Sequence, residues 1–415
     1  MELGKYSFGI GDRFAHEGAA QLKALIEAEK KYGIDFVPVW NKSNREHQIV
    51  GTDPADTRIE ADNAVRDLNY RKPYFVDADH ININNVDKFI DASDFFTIDV
   101  ADYIGKPAAK EDIDAFVTEN TKYSGAFRIP GIAVPFNVTL DTLRNIAEKY
   151  VYAVKEAGRI YRHIVSKKGF GAFITEISMD EVDTPQTPLE LFFILSALAG
   201  EHIDVQTIAP KFCGRFNKGV EYVGDIDCFA SEFEQDLLAL DYAVREFGFS
   251  GNLKLSIHSG SDKFAIYPIV GKLIRKYDKG IHIKTAGTTW LEEMIGLSMA
   301  DNAALDLVKE ISINALDRID ELCAPYRTVI DIRRSELPDS ETIRSWSGKQ
   351  YSSALRHDKS SQEYNPDFRQ LIHVAYKLAA ERRDVFFDAL ERNRTVVGEQ
   401  VTGNLLDRHI CKLFI

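Results

Sequence analysis

Three histidines stand at the ends of short β-type runs: His80 in YFVDADH, His258 in LKLSIHS and His282 in IHIKTAG. Neutral imidazole is the commonest nitrogen ligand for a divalent cation, and three protein ligands leave a position open for substrate. The three are far apart in sequence, and no HxH or HExxH pair links them. Spacing alone therefore leaves two readings open for each, a metal ligand or a hydrogen-bonded core histidine. The remaining histidines, among them His16, His47 and His163, read as ordinary core or surface residues.

Carboxylates and cations surround these positions. In a strand, residues two apart share a face. LKLSIHS thus sets Lys254, Ser256 and His258 on one side, and IHIKTAG sets His282 with Lys284. AFITEIS aligns Glu176 with Ser178, and Asp180 follows on the same face. In YFVDADH, strict alternation sends Asp77 and Asp79 one way and His80 the other, so His80 joins them only if the strand ends at Asp79 and the chain turns. TEISMDEVDTP supplies Glu176, Asp180 and Glu181 for general acid or base work, while Asp183-Thr184-Pro185 reads as a helix cap. Lys211 and Arg215 follow the next strand, and HSGSDKF adds Ser259, Ser261 and Lys263 in a Gly-containing turn. Such hydroxyls and cations hold a carboxylate or a phosphate. There is no GxxxxGK[ST], and GFGAFI lacks the third glycine of a dinucleotide loop, which argues against nucleotide binding.

The elements that must position these side chains alternate. Strand-like runs lie at Tyr6–Gly11, Ile34–Trp40, Tyr74–His80, Phe95–Val100, Ala172–Ser178, Asp204–Pro210, Leu253–Ser259 and Ile281–Gly287, mostly separated by segments of helical period. Eight βα units predict an α/β fold in which a parallel (β/α)8 TIM-type barrel closes, with polar residues gathered at the C-terminal strand ends where such barrels build their sites. An open doubly wound sheet would show the same alternation, so closure rests on the count. Residues 1–300 are expected to form the barrel and 301–415 a helical extension packed on it. Within the extension, SETIRSWSGKQYSSALRHDKSSQEYNP is polar and Ser-rich and reads as a connecting loop or lid.

Composition bounds the partners. Lys plus Arg number 51 against 64 Asp plus Glu, a net charge of −13, which disfavours nucleic acid. Four scattered cysteines, with no CxxC, exclude a disulfide scaffold and fit a reducing compartment. No signal peptide is visible, and LELFFILSALAG is too short to span a bilayer and reads as a buried helix, so a cytoplasmic protein away from membranes is expected. Within Gly251–Trp290 the balance reverses: seven Lys or Arg stand against Asp262 and Asp278, so 7 − 2 gives +5. That basic stretch is the expected meeting place for an anionic small molecule.

Longer blocks carry a family likeness. FVDADHI, EISMDE, IAPKFCGRFNKGVEYVGD, LKLSIHSGSDKFAIYP and HIKTAGTTWLE resemble the tagaturonate epimerase family, which is similar in layout to the metal-dependent class II aldolases. The likeness implies a divalent-metal epimerase that interconverts D-tagaturonate and D-fructuronate in hexuronate catabolism. Because the inverted carbon is not adjacent to the ketone, a retro-aldol and aldol route is the expected chemistry. It implies His80, His258 and His282 as ligands of one divalent cation (Zn, Mn, Ni, Co or Fe), Asp79 as proton acceptor, and Glu176 or Glu181 as donor. Lys211, Arg215, Lys254, Ser259, Ser261, Lys263 and Lys284 would then bind the anionic sugar acid. The phosphate loop of the aldolases survives only partly, in His258-Ser259-Gly260-Ser261-Asp262, which fits an unphosphorylated substrate. A class II-type aldolase acting on a keto sugar acid and a non-catalytic sugar-acid binding barrel are the alternatives. A homo-oligomer is compatible with any of them.

Overall fold

The computed structural model describes every residue except Gly260, Ser261, Ala286 and Gly287. Its strands are β1 (Tyr6–Ile10), β2 (Val37–Ser43), β3 (Phe75–Ile81), β4 (Phe95–Asp99), β5 (Gly125–Phe127), β6 (Phe136–Val138), β7 (Ile174–Ser178), β8 (Thr207–Ala209), β9 (Lys254–His258) and β10 (Ile281–Lys284). Eight of them close a barrel in the order β1-β2-β3-β4-β7-β8-β9-β10, every neighbouring pair parallel. These are the eight runs expected from sequence. The antiparallel β5–β6 hairpin was not foreseen. It is three residues per strand and largely exposed, too short and too solvated to leave a periodic signal.

Outward-facing Leu255, Ile257, Ile281 and Ile283 are buried under the helices. Inward-facing Ser7, Asp77, Thr97, Glu176, Thr207, Ser256 and His282 are buried too, so this barrel has a polar lumen where aliphatic layers are usual. LELFFILSALAG lies in a helix at Pro188–Gly200, as expected. Thr187 and Glu190 form its capping box, and Leu191 through Leu195 are buried. No described helix is long and apolar enough to cross a membrane.

After Ala300 the described chain is helical. The Ser-rich segment expected to be a loop instead forms helices Ser340–Ser345 and Gly348–Leu355. Ser347 and Gln350 make a reciprocal cap there, and Ile343, Tyr351 and Leu355 are fully buried. Capping and three apolar anchors outweigh the polar composition. The apolar packing does not part at residue 300. Trp290, Leu291, Met294, Ile295 and even Phe14 belong to the core of the extension, whereas Leu405, Ile410 and Leu413 return to the barrel core.

Candidate active site

The C-terminal ends of the barrel strands open into a cavity of about 350 Å³. β3 delivers its residues by an irregular route. Ala78 pairs with Phe96 and Ile81 with Ile98, so β3 spends three steps where β4 spends two. The extra residue is a β-bulge, and His80 takes the left-handed backbone at φ +51°. That conformation costs a non-glycine residue roughly 1–2 kcal/mol. It breaks the alternation, so Asp79 and His80, consecutive in sequence, both line the cavity. The strand does not end at Asp79, as the sequence reading required. It bulges and continues to Ile81.

His258, at the end of β9, sets its ring 5.2 Å from that of His80 at 81°. Its Nε2 lies 2.8 Å from Glu176 Oε1 and its Nδ1 3.2 Å from Asp180 Oδ1. Ser178 Oγ donates to Asp180 at 2.6 Å, so Glu176, Ser178 and Asp180 do share a face. Burial would lower the His258 pKa, but Asp180 and Glu176 outweigh it, against Lys284, and hold it at about 9. His80 is likewise raised, its burial overcome by Asp79, Asp99 and Asp180, with Nδ1 3.4 Å from Asp99 Oδ2.

Beneath them Lys284 is a charge hub. Its Nζ lies 2.7 Å from Asp77, 2.9 Å from Asp79 and 2.9 Å from Glu176, and it also donates to Thr97. Burial pushes its pKa down, but the three carboxylates override this and keep it a permanent cation. Asp79, despite burial, is held at about 2 by Lys284, His80 and His258, and is therefore ionised. Asp77 goes the other way: burial, with Asp79 and Glu176 adding to it, lifts it to about 7 against Lys284.

Donor atoms of His80, Asp180 and His258 lie within 4.8 Å of one another, as do those of His80, Asp99 and Glu181. Ligands about 2.1 Å from one ion must lie this close together, so the first trio suits a borderline divalent cation. Its N2O set also has the chemistry for one. The trio differs from the expected one. His282 sits two residues before Lys284, which pairs with His258, so its Cα is about 6.6 Å down the barrel from that level. Its Nδ1 bonds Ser7 Oγ at 2.8 Å, its ring packs on Phe95, and burial holds its pKa at about 3. Asp180, and not His282, stands with His80 and His258 in that candidate trio.

Other expected residues divide. Asp79, Glu181, Lys211 and Arg215 line the cavity. Glu176 does not. It is fully buried and bonds His258, Thr97 and Thr207, which suits it to orienting His258 and not to delivering a proton to a ligand. Lys254 is four residues below His258 on β9, and its Nζ donates to the backbone carbonyls of Leu3, Gly4 and Lys5 at the opposite end of the barrel. Lys263 is fully buried and donates to the carbonyls of Asn217 and Val220, and Ser259 Oγ donates to Lys284 O. Ser261 lies outside the described residues. Of the described Lys and Arg residues in 251–290, Lys284 alone lines the cavity, and its charge is matched by Asp77, Asp79 and Glu176. Lys254, Lys263 and Lys284 are committed internally, and Lys272, Arg275 and Lys276 are exposed on the helix Tyr267–Lys276.

Beside Lys211 and Arg215 the cavity takes further cations that the sequence did not single out, Arg13 after β1, Arg45 after β2 and Lys218 beyond β8, and a neutral imidazole, His373, from the extension. No local spacing marks them.

A closed parallel barrel with acids, imidazoles and cations converging on a cavity at its C-terminal face defines a TIM-barrel enzyme with a cation-competent site. The chain matches the model of the tagaturonate epimerase family over residues 1–413 and belongs to that family. It is 28% identical over 420 residues to the tagaturonate/fructuronate epimerase of Thermotoga maritima, covering 97% of this chain and 80% of that one. The native crystal structure of fructuronate-tagaturonate epimerase from Cohnella laeviribosi superposes with a TM-score of 0.79 at 25% identity, over all of this chain and 82% of that one. A glycerol complex of the same protein gives 0.81 at 24% identity, with the same coverage.

Proposed function

We propose that this protein interconverts D-tagaturonate and D-fructuronate with the help of a divalent cation, by cleaving and re-forming a carbon–carbon bond. The observation that carries the reading is the bulge at His80. It brings an ionised carboxylate, Asp79, beside the His80–Asp180–His258 trio in a cavity sized for a small molecule. His80, Asp180 and His258 would hold the cation, which when bound supplies a Lewis acid for negative charge developing on the substrate's ketone and neighbouring hydroxyl oxygens.

The two ketouronates differ at a hydroxyl-bearing carbon that is not adjacent to the ketone, so its C–H gains no acidity from the carbonyl. Its hydroxyl proton is the accessible one. Asp79, kept ionised by Lys284, accepts that proton as the bond between this carbon and the ketone's α-carbon breaks, leaving an enediolate and an aldehyde. Rotation of the aldehyde and re-addition invert the centre, and Asp79 or Glu181 returns the proton to the new alkoxide, according to its face. Arg13, Lys211, Arg215 and Lys218 give the cavity the positive charge an anionic sugar acid requires.

The test is conversion of tagaturonate to fructuronate, abolished by a chelator and restored by Zn, Mn, Ni, Co or Fe. In deuterated water the inverted carbon is expected to retain its hydrogen. Stoichiometric deuterium there excludes bond cleavage, chelator-resistant turnover excludes the cation, and net accumulation of fragments makes the protein an aldolase.

A further inference from the structure

The helix Pro366–Val374 carries Arg369 and His373, one turn apart and so on one face. Arg369 fastens the helix to the barrel. Its Nη2 lies 2.6 Å from Asp262, in the loop after β9, and its Nε lies 2.6 Å from the carbonyl of Gly219. One turn on, His373 is 1% exposed and lines the cavity. Its Nε2 lies 3.4 Å from Arg13 Nη2. A guanidinium can only donate, so Nε2 accepts, and a neutral ring then carries its proton on Nδ1. Nδ1 is buried with no hydrogen-bond partner. An orphaned buried donor costs about 1–3 kcal/mol and calls for an occupant.

The surroundings say what kind. A Cβ on Gly219 would lie 3.5 Å from that Nδ1, so the glycine keeps this flank clear. After burial itself, the influences that hold the ring neutral are all cations: Arg13, Lys218, Arg369 and Lys263. Arg13 is matched by Glu46 at 3.5 Å and Arg369 by Asp262. Lys218 has no ion-pair partner among the described residues and carries the surplus charge, whereas Lys263 meets only carbonyls and is pushed down to about 7 by burial. A neutral N–H donor among surplus positive charge is arranged for an anion.

We propose that His373 Nδ1–H, together with Lys218 and Arg13, binds the carboxylate of the sugar acid. This rests on the epimerase reading for the identity of the ligand, but the site itself is defined by the anion. The extension thereby supplies the buried donor that separates a uronate from a neutral ketose.

The test uses the full-length protein and two unreactive six-carbon probes, D-galactonate and its neutral counterpart galactitol, titrated by calorimetry with the divalent cation present. The native protein is expected to prefer galactonate. His373→Leu and Lys218→Met are each expected to reduce that preference roughly 10- to 100-fold, the worth of one charge-assisted hydrogen bond, and to leave galactitol binding unchanged. His373→Gln, which can both accept from Arg13 and donate, restores most of it. A native protein with no preference, or a preference untouched in both variants, overturns the proposal. A variant-sensitive preference in a protein that converts no tagaturonate keeps the anion site and removes the epimerase reading.

Discussion

Glu176 on β7 and His258 on β9 meet at 2.8 Å across the top of the intervening strand β8. The carboxylate is fully buried and outside the cavity, so its bond to Nε2 fixes the imidazole while Nδ1 turns to Asp180. Such carboxylate–histidine pairs orient metal ligands and raise their basicity.

Glu176→Gln keeps the shape and removes the charge. Zinc affinity, measured by calorimetric titration, is expected to fall by roughly 10- to 100-fold, the usual cost of losing an outer partner. An unchanged affinity would show that His258 needs no such support.

Asp180 stands in the candidate trio and His282 outside it, and metal content separates the two. His282→Gln is expected to retain about one equivalent of divalent metal after dialysis, measured by elemental analysis, because its ring is tied to Ser7 in the layer below. Asp180→Asn is expected to lose it. The reverse pattern would restore the three-histidine set.

Lys284 balances three buried carboxylates. Lys284→Met strands them, and breaking a buried ion pair from one side costs about 3–5 kcal/mol. Without the ammonium the native carboxyl pKa values rise above those of the unfolded chain. The native state then binds more protons, so stability increases as pH falls. Urea unfolding at pH 7.5 and 5.5 should show the variant recovering at the lower pH. A loss that is the same at both would assign it to packing.

Asp262 is buried between Arg369, His357 and His409, at 2.6, 3.2 and 3.1 Å. Burial would raise its pKa, but Arg369 outweighs this and keeps it ionised, while both imidazoles are held down by burial and so are neutral. Arg369→Leu removes the one permanent cation. His357 or His409 must then take a proton to match Asp262, which raises their native pKa. The stability they contribute is present at low pH and lost as pH rises through that value. The variant is therefore expected to be destabilised more at pH 8 than at pH 5.5 in urea unfolding, and equal losses would contradict the assignment.

The barrel was legible because parallel strands buried on both sides leave short apolar or aromatic runs, bounded by polar ends and spaced by helices. Alternation also identified the correct inward face for Glu176, His258, His282 and Lys284. What it could not give was height within the lumen. Two residues on one face differ by about 6.6 Å along the barrel, which is enough to set His282 apart from the His80–Asp180–His258 trio, and Lys254 lies twice as far from His258. Nor could it give the bulge at His80, which arises from a register shift against β4 and not from the local sequence. Charge counted along the chain misled for a related reason. The lysines of residues 251–290 are consecutive in sequence, yet some are spent inside the lumen and some face solvent. Apart from Lys284, the cations of the cavity come from the segments after β1, β2 and β8, far apart in the chain, where no single window of sequence unites them.

The helix that carries His373 is seated by Arg369 on Asp262 and Gly219, while Asp79 and His80 are seated by the barrel's own register. The lining of the cavity is thus anchored in two ways, part by the register of the barrel and part by the docking of the extension. Repacking the docking contact would move His373 without disturbing the register that places Asp79 and His80. What the cavity accepts and what its proton-exchanging groups do can therefore diverge separately in this scaffold.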